Sequence, residues 1–575
     1  MNRPKKTALR MFMGILLLLL LTGCGAQEED IPTASNISTK EQNTESVAVN
    51  AAVSEAVNAM SDIVVGIEGW EPFEQNVTIK IPVYDRHMED VPDVTNNYWT
   101  DWIQKNFGDR YNVTVEYVAI NRTDVLNEYD RLVKAGEQPT IFMEYDYPKL
   151  AQWVKDGYLV ELDFDEFMVV APSYYQRMVD LGLLSYTSLD GKYYFALAQR
   201  PYYNTDYAYA TIYRKDWLEQ LGYEEYPDNW ADEREMLLRV KESGICKYPC
   251  GGKAIAGSDV DRNYQYRSFP LDEENWACYG DYAIPALGDE ANKKLLQREN
   301  EKYNLGLIEP NYDKIDEETA RKNFATGKCL YYQGYMAPDL DWVNDFYEHN
   351  PNGKLAVKIT KNVTDREGGT VPALRANNPF GMMIGFSSTA SKEQIKAAWM
   401  YMEWLTQEEN LFTMQWGIEG ENYTLGRNGL PVQTADYDGE CRQGYSNNKD
   451  YWTITIEARN AGSIEDIIAM AAPKNASQDL TSELVENYYG QLEVAEAGYA
   501  VFDCNFAVAF SSVSKYQATL LELYKEYRNE LTKCDTKRFE SLYDELAEQY
   551  AEAGYGDIVA ERREAYRAGQ STKLK

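Results

Sequence analysis

The sequence predicts an α/β fold that ends in a helical tail. Three observations carry that expectation. Strand-like and helix-like segments alternate between Val77 and Gly157, the alternation resumes after Gly191, and the C-terminal stretch carries helical patterns in succession. With 575 residues, 44% hydrophobic and 13% aromatic, the chain can bury a large core, which excludes disorder along its whole length.

The elements follow in order. Val77-Thr-Ile-Lys-Ile-Pro-Val83 alternates apolar and polar residues and reads as a strand. Tyr98, Trp99, Trp102, Ile103 and Phe107 recur at helical spacing, and Gly108 ends that helix. Residues 113–118 alternate again as a strand, 124–135 read as a helix closed by Gly136, 139–143 as a short buried strand, and 150–155 as a helix stopped by Gly157. This order predicts a mostly parallel sheet with covering helices. Further on, strands are expected at 192–196, 207–213, 329–332 and 380–385. Helices are expected at 216–221, 232–241, 320–324, 340–346, 392–405 and 410–416. The tail should hold helices at 484–495, 512–531, 537–553 and 557–567. No short repeat is visible, so a solenoid is not expected.

Charge and histidine narrow the function. Lys+Arg 57 against Asp+Glu 92 gives a net charge of −35, a field that repels nucleic acid. The two histidines, His87 and His349, lie far apart, which disfavours imidazole metal sites and Ser/His/Asp catalysis. Tyrosine, at 46, outnumbers Phe 17 and Trp 12 together.

The N-terminus reads as an address. Arg3, Lys5, Lys6 and Arg10 precede the apolar run from Met11 to Leu21. As a helix that run spans about 16 Å, too short for a bilayer core of about 30 Å, so it reads as a signal peptide (1–23). Its end, Leu21-Thr-Gly-Cys24, resembles the lipobox of bacterial lipoproteins, which implies cleavage before Cys24 and diacylation of its sulfur. Losing four bases and no acid would take the charge from −35 to −39. From Gly25 to Gly69 there is no Phe, Tyr or Trp, and 24–75 reads as a lipid-anchored flexible tether, with a short helix conceivable at 51–60.

Seven further cysteines follow: Cys246, Cys250, Cys278, Cys329, Cys441, Cys504 and Cys534. An odd number cannot all pair within one chain. Cys246 and Cys250 are spaced C-x3-C rather than the C-x2-C usual for zinc. Free thiols are the first reading and a disulfide the second.

Several segments together resemble the solute-binding lipoproteins of carbohydrate ABC transporters, extracellular family 1, in its large oligosaccharide-type branch. Val133-Lys-Ala-Gly-Glu-Gln-Pro-Thr-Ile141 is similar to the family's G-x-x-P-D-I, with Thr140 where Asp is usual. Tyr213-Arg-Lys-Asp-Trp-Leu-Glu-Gln-Leu-Gly222 resembles R-K-D-W-L-x-x-L-G. Ala397-Ala-Trp-Met-Tyr-Met-Glu-Trp-Leu405 is followed by Trp416-Gly-Ile-Glu-Gly-Glu-Asn-Tyr423, which resembles y-G-x-E-G-x-x-Y. The branch often carries a calcium loop. Here Asp259-Val-Asp-Arg-Asn263 has Tyr264 where the turn needs Gly and Pro270 where the bidentate acid belongs, so no metal and no cofactor are expected.

The resemblance implies a two-lobed, periplasmic-binding-protein-like α/β fold with a hinge and an interlobe cleft. The first lobe would hold 76–202 and 380–430, the second 203–379 and 431–575 with the helical tail. The chain should cross between lobes near 201–207, near 376–380 and again after Tyr423. The implied partners are a carbohydrate, the permease subunits of an ABC importer and, through the lipid, the extracellular face of the bacterial cytoplasmic membrane. The protein would be a monomer and would not bind nucleic acid.

Sugars present C–H faces and hydroxyls, which suit aromatic rings and planar polar groups. Tyrosine supplies both. Loops at strand ends and crossings are where an open α/β sheet holds ligands. They offer Tyr84, Asp85 and Arg86; Glu144, Tyr145, Asp146 and Tyr147; Arg200, Tyr202, Tyr203 and Asn204; Tyr332, Gln333 and Tyr335; and Arg375, Asn377 and Asn378. Trp416, Glu419, Asn422 and Tyr423 come from the family-like motif. The chosen ligand set is Asp85, Arg86, Tyr145, Asp146, Tyr202, Tyr203, Asn204, Tyr332, Trp416, Glu419 and Tyr423, with Cys24 for lipidation. Each has a plainer role open to it: Tyr202 and Tyr203 could pack the hinge, Arg86 could be a surface charge, and Tyr423 could pack the lobe. Trp217 and Trp404 read as core. No residue is assigned to catalysis. A glycoside hydrolase remains an alternative, as does a surface glycan-binding or sensor-partner lipoprotein of the same fold.

Overall fold

The computed structural model describes residues 67, 69–85, 93–122, 124–200, 205, 209–251, 269, 272–281, 284–335, 342–361, 373–426, 429–434, 449–457, 463–471 and 478–572. The leader, Cys24 and the expected short helix at 51–60 lie outside the described residues.

The first lobe opens with β1 (Val77–Asp85), α1 (Tyr98–Ile103), β2 (Val113–Asn121), α2 (Val125–Ala135), β3 (Ile141–Glu144) and α3 (Tyr147–Lys155). Asn97 starts α1 by accepting from Trp99 N at 2.8 Å while Thr100 Oγ1 accepts from Asn97 N, a capping box. Gly136 ends α2 in the left-handed conformation at φ 71°, which a residue without Cβ adopts freely. β1 and β2 pair in parallel from Val77 opposite Val113 to Asp85 opposite Asn121. Thr140 N donates to Lys80 O at 2.8 Å and Tyr84 reaches Glu144, so β3 runs beside β1 in the same direction. The lobe continues through α4 (Phe164–Val170), α5 (Pro172–Asp180), β4 (Ser188–Leu189), β5 (Lys192–Tyr193) and β6 (Ala196–Gln199). The expected strand at 192–196 is thus split between the β4–β5 hairpin and β6.

The second lobe is built on β7 (Tyr209–Arg214), α6 (Lys215–Gln220), α7 (Trp230–Glu242), α8 (Glu273–Tyr279), α9 (Glu290–Asn304), α10 (Glu317–Ala325), β8 (Tyr331–Tyr335), α11 (Trp342–His349) and β9 (Leu355–Val357). β7 lies between β8 and β9, antiparallel to both. Ala210 and Ile212 face a core with Phe324, Val343, Phe346 and Leu480. Tyr213 faces a second core with Trp230, Met236 and Leu237, so helices cover both sides of the sheet.

The chain then supplies β10 (Leu374–Arg375), β11 (Phe380–Phe386), α12 (Lys392–Thr406), α13 (Glu408–Trp416), β12 (Tyr423–Leu425), β13 (Pro431–Gln433) and α14 (Lys449–Trp452). After these come α15 (Ile464–Ala471), α16 (Gln478–Val494), β14 (Ala500–Val501) and the tail helices α17 (Ser511–Lys533), α18 (Phe539–Tyr550) and α19 (Gly556–Arg567). β11 returns to the first lobe and inserts between β3 and β6, antiparallel to each. The expectation of a mostly parallel sheet is corrected at these strands. Only β1–β2, the β1–β3 neighbours and the short β10–β14 pair run parallel among the described strands. The reason is topological: a strand arriving from the other lobe enters at the end of the sheet where β3 leaves.

The largest core joins β1, β2, β3, β6 and β11 to α1, α3, α4 and α12. Tyr451, Trp452, Ile454 and Ile456 also belong to it, although the sequence reading put 431–575 in the second lobe. Backbone bonds hold them there: Gln199 N donates to Thr455 O at 3.0 Å and Glu457 N to Gln199 O at 2.9 Å. The tail helices form their own core with α9, around Leu296, Leu520, Leu542, Tyr550 and Ile558.

Candidate functional site

Two polar groups gather at strand ends and at chain crossings, the places singled out in the sequence. The first lies at the ends of β1, β2 and β3. Tyr84 is buried, and its hydroxyl donates to Glu144 Oε2 at 3.0 Å. Glu144 Oε1 accepts from Tyr145 N at 2.8 Å and Asp146 N at 3.3 Å. Burial pushes the Glu144 carboxyl up, while the Tyr145 N–H, the Arg122 guanidinium and the Tyr84 hydroxyl pull it back. Arg122 itself is exposed and stands 4.8 Å from the centre of the Tyr84 ring and 5.8 Å from that of Tyr145. Asp85 closes β1 half-buried, its carbonyl accepting from Arg122 N at 2.8 Å.

Asp146 has a structural task in the same loop. Its Oδ1 caps α3 by accepting from Lys149 N at 3.0 Å, and its Oδ2 accepts from Gln517 Nε2 at 2.8 Å. Tyr145 is half-buried against the first core.

The second group lies where the chain passes between lobes. Arg200 N donates to Pro379 O at 3.0 Å, Asn377 N to Thr205 O at 3.0 Å, and Ala376 N to Val501 O at 2.9 Å. These bonds, with those at Gln199 and Glu457, lay four passes of chain side by side. Arg200 pairs with Glu457 at 2.6 Å. The Glu457 carboxylate rests on the backbone of β11 at Gly381, where a Cβ would stand 1.9 Å from the carboxyl carbon. Only glycine leaves that space. Arg375 Nη2 lies 3.6 Å from Asp503 Oδ1, beyond hydrogen-bond reach, and that oxygen has no hydrogen-bond partner among the described residues. Asp503 is ringed by protein yet keeps 36% of its side-chain surface open, as a group in a crevice does. Burial raises its pKa, and Arg375 and then Arg200 oppose the rise. Two guanidinium groups and two carboxylates offer planar donors and acceptors suited to hydroxyl groups.

The remaining expected ligand residues are placed differently. Tyr332 is 2% exposed in the core of the second lobe, its hydroxyl accepting from Arg321 Nε at 3.3 Å. Trp416 and Tyr423 pack against each other and against Phe412, Leu425 and Ile467. Tyr423 is 0% exposed, and burial pushes its hydroxyl up to about 12. Half-buried Glu419 lies in the turn between them, where Ile418 N donates to Asn422 Oδ1 at 2.8 Å and Gly420 N to Tyr423 O at 2.7 Å. The family-like motif therefore builds a packed junction, and its rings present no open face. Arg86, Tyr202, Tyr203, Asn204 and Cys24 lie outside the described residues. The sequence reading missed Arg122, Glu457 and Asp503. Arg122 immediately follows a strand, a signal that was available; Glu457 and Asp503 come from distant segments that only the fold brings to the crossing.

The family model described as bacterial extracellular solute-binding protein matches residues 94–411. Solved structures agree at the level of the fold. An alginate-binding protein without calcium ion matches with a TM-score of 0.55 at 14% identity, over 87% of this chain and 100% of that one. A human-milk-oligosaccharide-binding, ABC-transporter-associated solute-binding protein from Bifidobacterium longum infantis gives 0.56 at 13% identity, over 86% and 99%. The S. pneumoniae ABC-transporter substrate-binding protein FusA, in complex with kestose, gives 0.55 at 14%, over 86% and 100%. No curated protein matches the chain at a significant level. The family match extends over more than half of the 575 residues, and the chain belongs to the bacterial extracellular solute-binding proteins.

Proposed function

We propose that this protein captures a carbohydrate, specifically an oligosaccharide, between its lobes and delivers it to an ABC importer. It would act as a monomer at the extracellular face of a bacterial cytoplasmic membrane, anchored there through Cys24. The observation that carries the reading is the crossing group, in which Arg200, Arg375, Glu457 and Asp503 are gathered by the passes of chain between lobes. Such a set exchanges hydrogen bonds with sugar hydroxyls at little cost, because its members are already held in place. Tyr145 and Arg122 at the strand ends add a ring and a planar cation. The ligands named for structures of like fold, alginate, human milk oligosaccharides and kestose, support this substrate class. Asp85, Arg86, Tyr145, Tyr202, Tyr203 and Asn204 remain in the proposed contact set, joined by Arg375 and Asp503.

The test is a melting screen with alginate oligosaccharides, human milk oligosaccharides and fructo-oligosaccharides, followed by calorimetry. A rise in Tm with one class, without shortening of the glycan, is expected. Release of shorter products would instead indicate a hydrolase. Cys24→Ala should leave the precursor uncleaved or free the protein from membranes; detergent-requiring attachment of a cleaved variant would refute the anchor.

A further inference from the structure

The cysteines are the sequence motif that solute binding leaves unused. Three of them gather in the second lobe, Cys246 and Cys250 on the segment after α7 and Cys329 on the segment entering β8. The two segments are tied by Leu330 N donating to Pro249 O at 2.9 Å. The Cys246 thiol donates to Lys328 O at 2.9 Å, the carbonyl of the peptide that leads into Cys329. Gly251 closes on the same place: a Cβ there would stand 2.4 Å from Cys329 Sγ. The sulfurs of Cys246 and Cys329 thus share one seam, and each is buried. Cys250 is half-buried beside both the core that holds Cys246 and the Ile308–Tyr312 pair, and it too lies near Cys329, whereas Cys246 is buried with its thiol on the peptide that leads into Cys329. Among the described residues no group of three His, Cys, Asp or Glu side chains is placed to hold a metal ion.

We propose that Cys246 and Cys329 are a disulfide-forming pair, closed by exchange with a small-molecule disulfide while the chain folds in an oxidising compartment. The Cys246 thiolate attacks one sulfur of the small disulfide, forming a mixed disulfide and expelling one small thiolate. The Cys329 thiolate then attacks the Cys246 sulfur, the protein disulfide forms, and the second small thiolate leaves. Two cysteine thiols are oxidised, one small disulfide is reduced to two thiols, and the two S–H protons end on those thiols. In the folded chain burial pushes the Cys246 thiol up to about 11 and raises Cys329 further, so little of the attacking thiolate is present. Closure therefore belongs to folding, and the finished pair resists exchange. The bond would pin the entry of β8 to the segment after α7 and restrict the unfolded chain.

The full chain, unfolded under reductant, is refolded in reduced and oxidised glutathione, blocked with iodoacetamide and mapped by mass spectrometry. The expected product is a Cys246–Cys329 linked peptide pair, with Cys250 alkylated and the Tm several degrees above that of protein refolded under reductant. Cys250→Ser should retain the link, and Cys246→Ser should lose both link and Tm rise. A Cys246–Cys250 link, a Cys250–Cys329 link, or full alkylation of Cys246 and Cys329 in the wild-type chain would overturn the proposal. That wild-type map decides the matter even if the variants fold poorly.

Discussion

Gln517, on the long tail helix α17, donates its side-chain amide to Asp146 at 2.8 Å, across 371 positions of sequence. The same carboxylate caps α3. One side chain therefore closes the strand-end loop of the first lobe and ties the tail to it. Asp146→Ala removes both the cap and the tie, and should cost about 1–3 kcal/mol in urea unfolding. Gln517→Ala removes the tie alone and should cost less. In a double-mutant cycle the two should couple; strictly additive losses would show that the contact carries no energy.

The pH dependence of stability follows from the buried carboxyl of Glu144, whose pKa is raised above its ordinary 4.5. In the window between that value and the raised native one, the native state binds more protons than the unfolded state, so stability falls as pH rises. Below the unfolded pKa the contribution is fully present. The wild-type Tm should climb as pH is lowered through that window, with Asp146 and Asp503, raised for the same reason, acting in parallel. Glu144→Gln should flatten part of the climb. Identical profiles for variant and wild type would contradict the assignment.

Trp404 and Tyr423 separate the core from the cleft. Trp404 is fully buried against Trp102 and Phe107, at ring-centre distances of 5.4 and 5.7 Å. Trp404→Ala should cost about 3–5 kcal/mol. Tyr423 lies buried against Phe412 and Trp416, so Tyr423→Ala should also act on stability, by a similar mechanism. Tyr423→Phe should be nearly silent in ligand affinity. A tenfold affinity loss in Tyr423→Phe, with unchanged Tm, would return the hydroxyl to the binding site.

The helices at 392–405 and 512–531 were legible because apolar residues recur at helical spacing, and each extends only slightly beyond its expected bounds as α12 and α17. α9 was not legible. It buries Arg298, Glu299, Asn300 and Lys302, so its inward face carries no apolar stripe. Two of them are matched by the tail: Glu299 pairs with Arg528, and Asn300 Nδ2 donates to Leu531 O and Cys534 O at 2.8 Å, satisfying carbonyls at the end of α17, while Arg298 and Lys302 lie over the Trp230 ring. A helix that buries polar groups against distant partners looks solvent-exposed in sequence. The same blindness affected the site. Position after a strand put Tyr145 and Asp85 at strand ends, where the fold has them, but periodicity does not say which way Tyr332 or Tyr423 turns, and both turn inward.

Asp503 is the sharpest test of the crossing group. Its Oδ1 is closed off from solvent beside Arg375, 3.6 Å away, so a ligand hydroxyl would reach the carboxylate by the part of the side chain that stays open, 36% of its surface. A hydrogen bond to a charged group is worth about 1.5–3 kcal/mol, or roughly 10- to 150-fold in affinity. Asp503→Ala should therefore weaken binding of the glycan found in the melting screen by that factor. Tyr145→Ala should act in the same direction through lost ring area and stacking, the stacking adding about 0.5–1.5 kcal/mol. Neither change should lower the Tm as Trp404→Ala does, because both side chains are only partly buried. Asp503→Asn separates charge from shape: it keeps an acceptor but loses the attraction of Arg375 and Arg200, and should fall between wild type and Ala. If calorimetry gives Asp503→Ala and Tyr145→Ala wild-type affinity for a glycan that wild type binds, the ligand rests on other loops. The crossing cluster would then be a brace for the hinge.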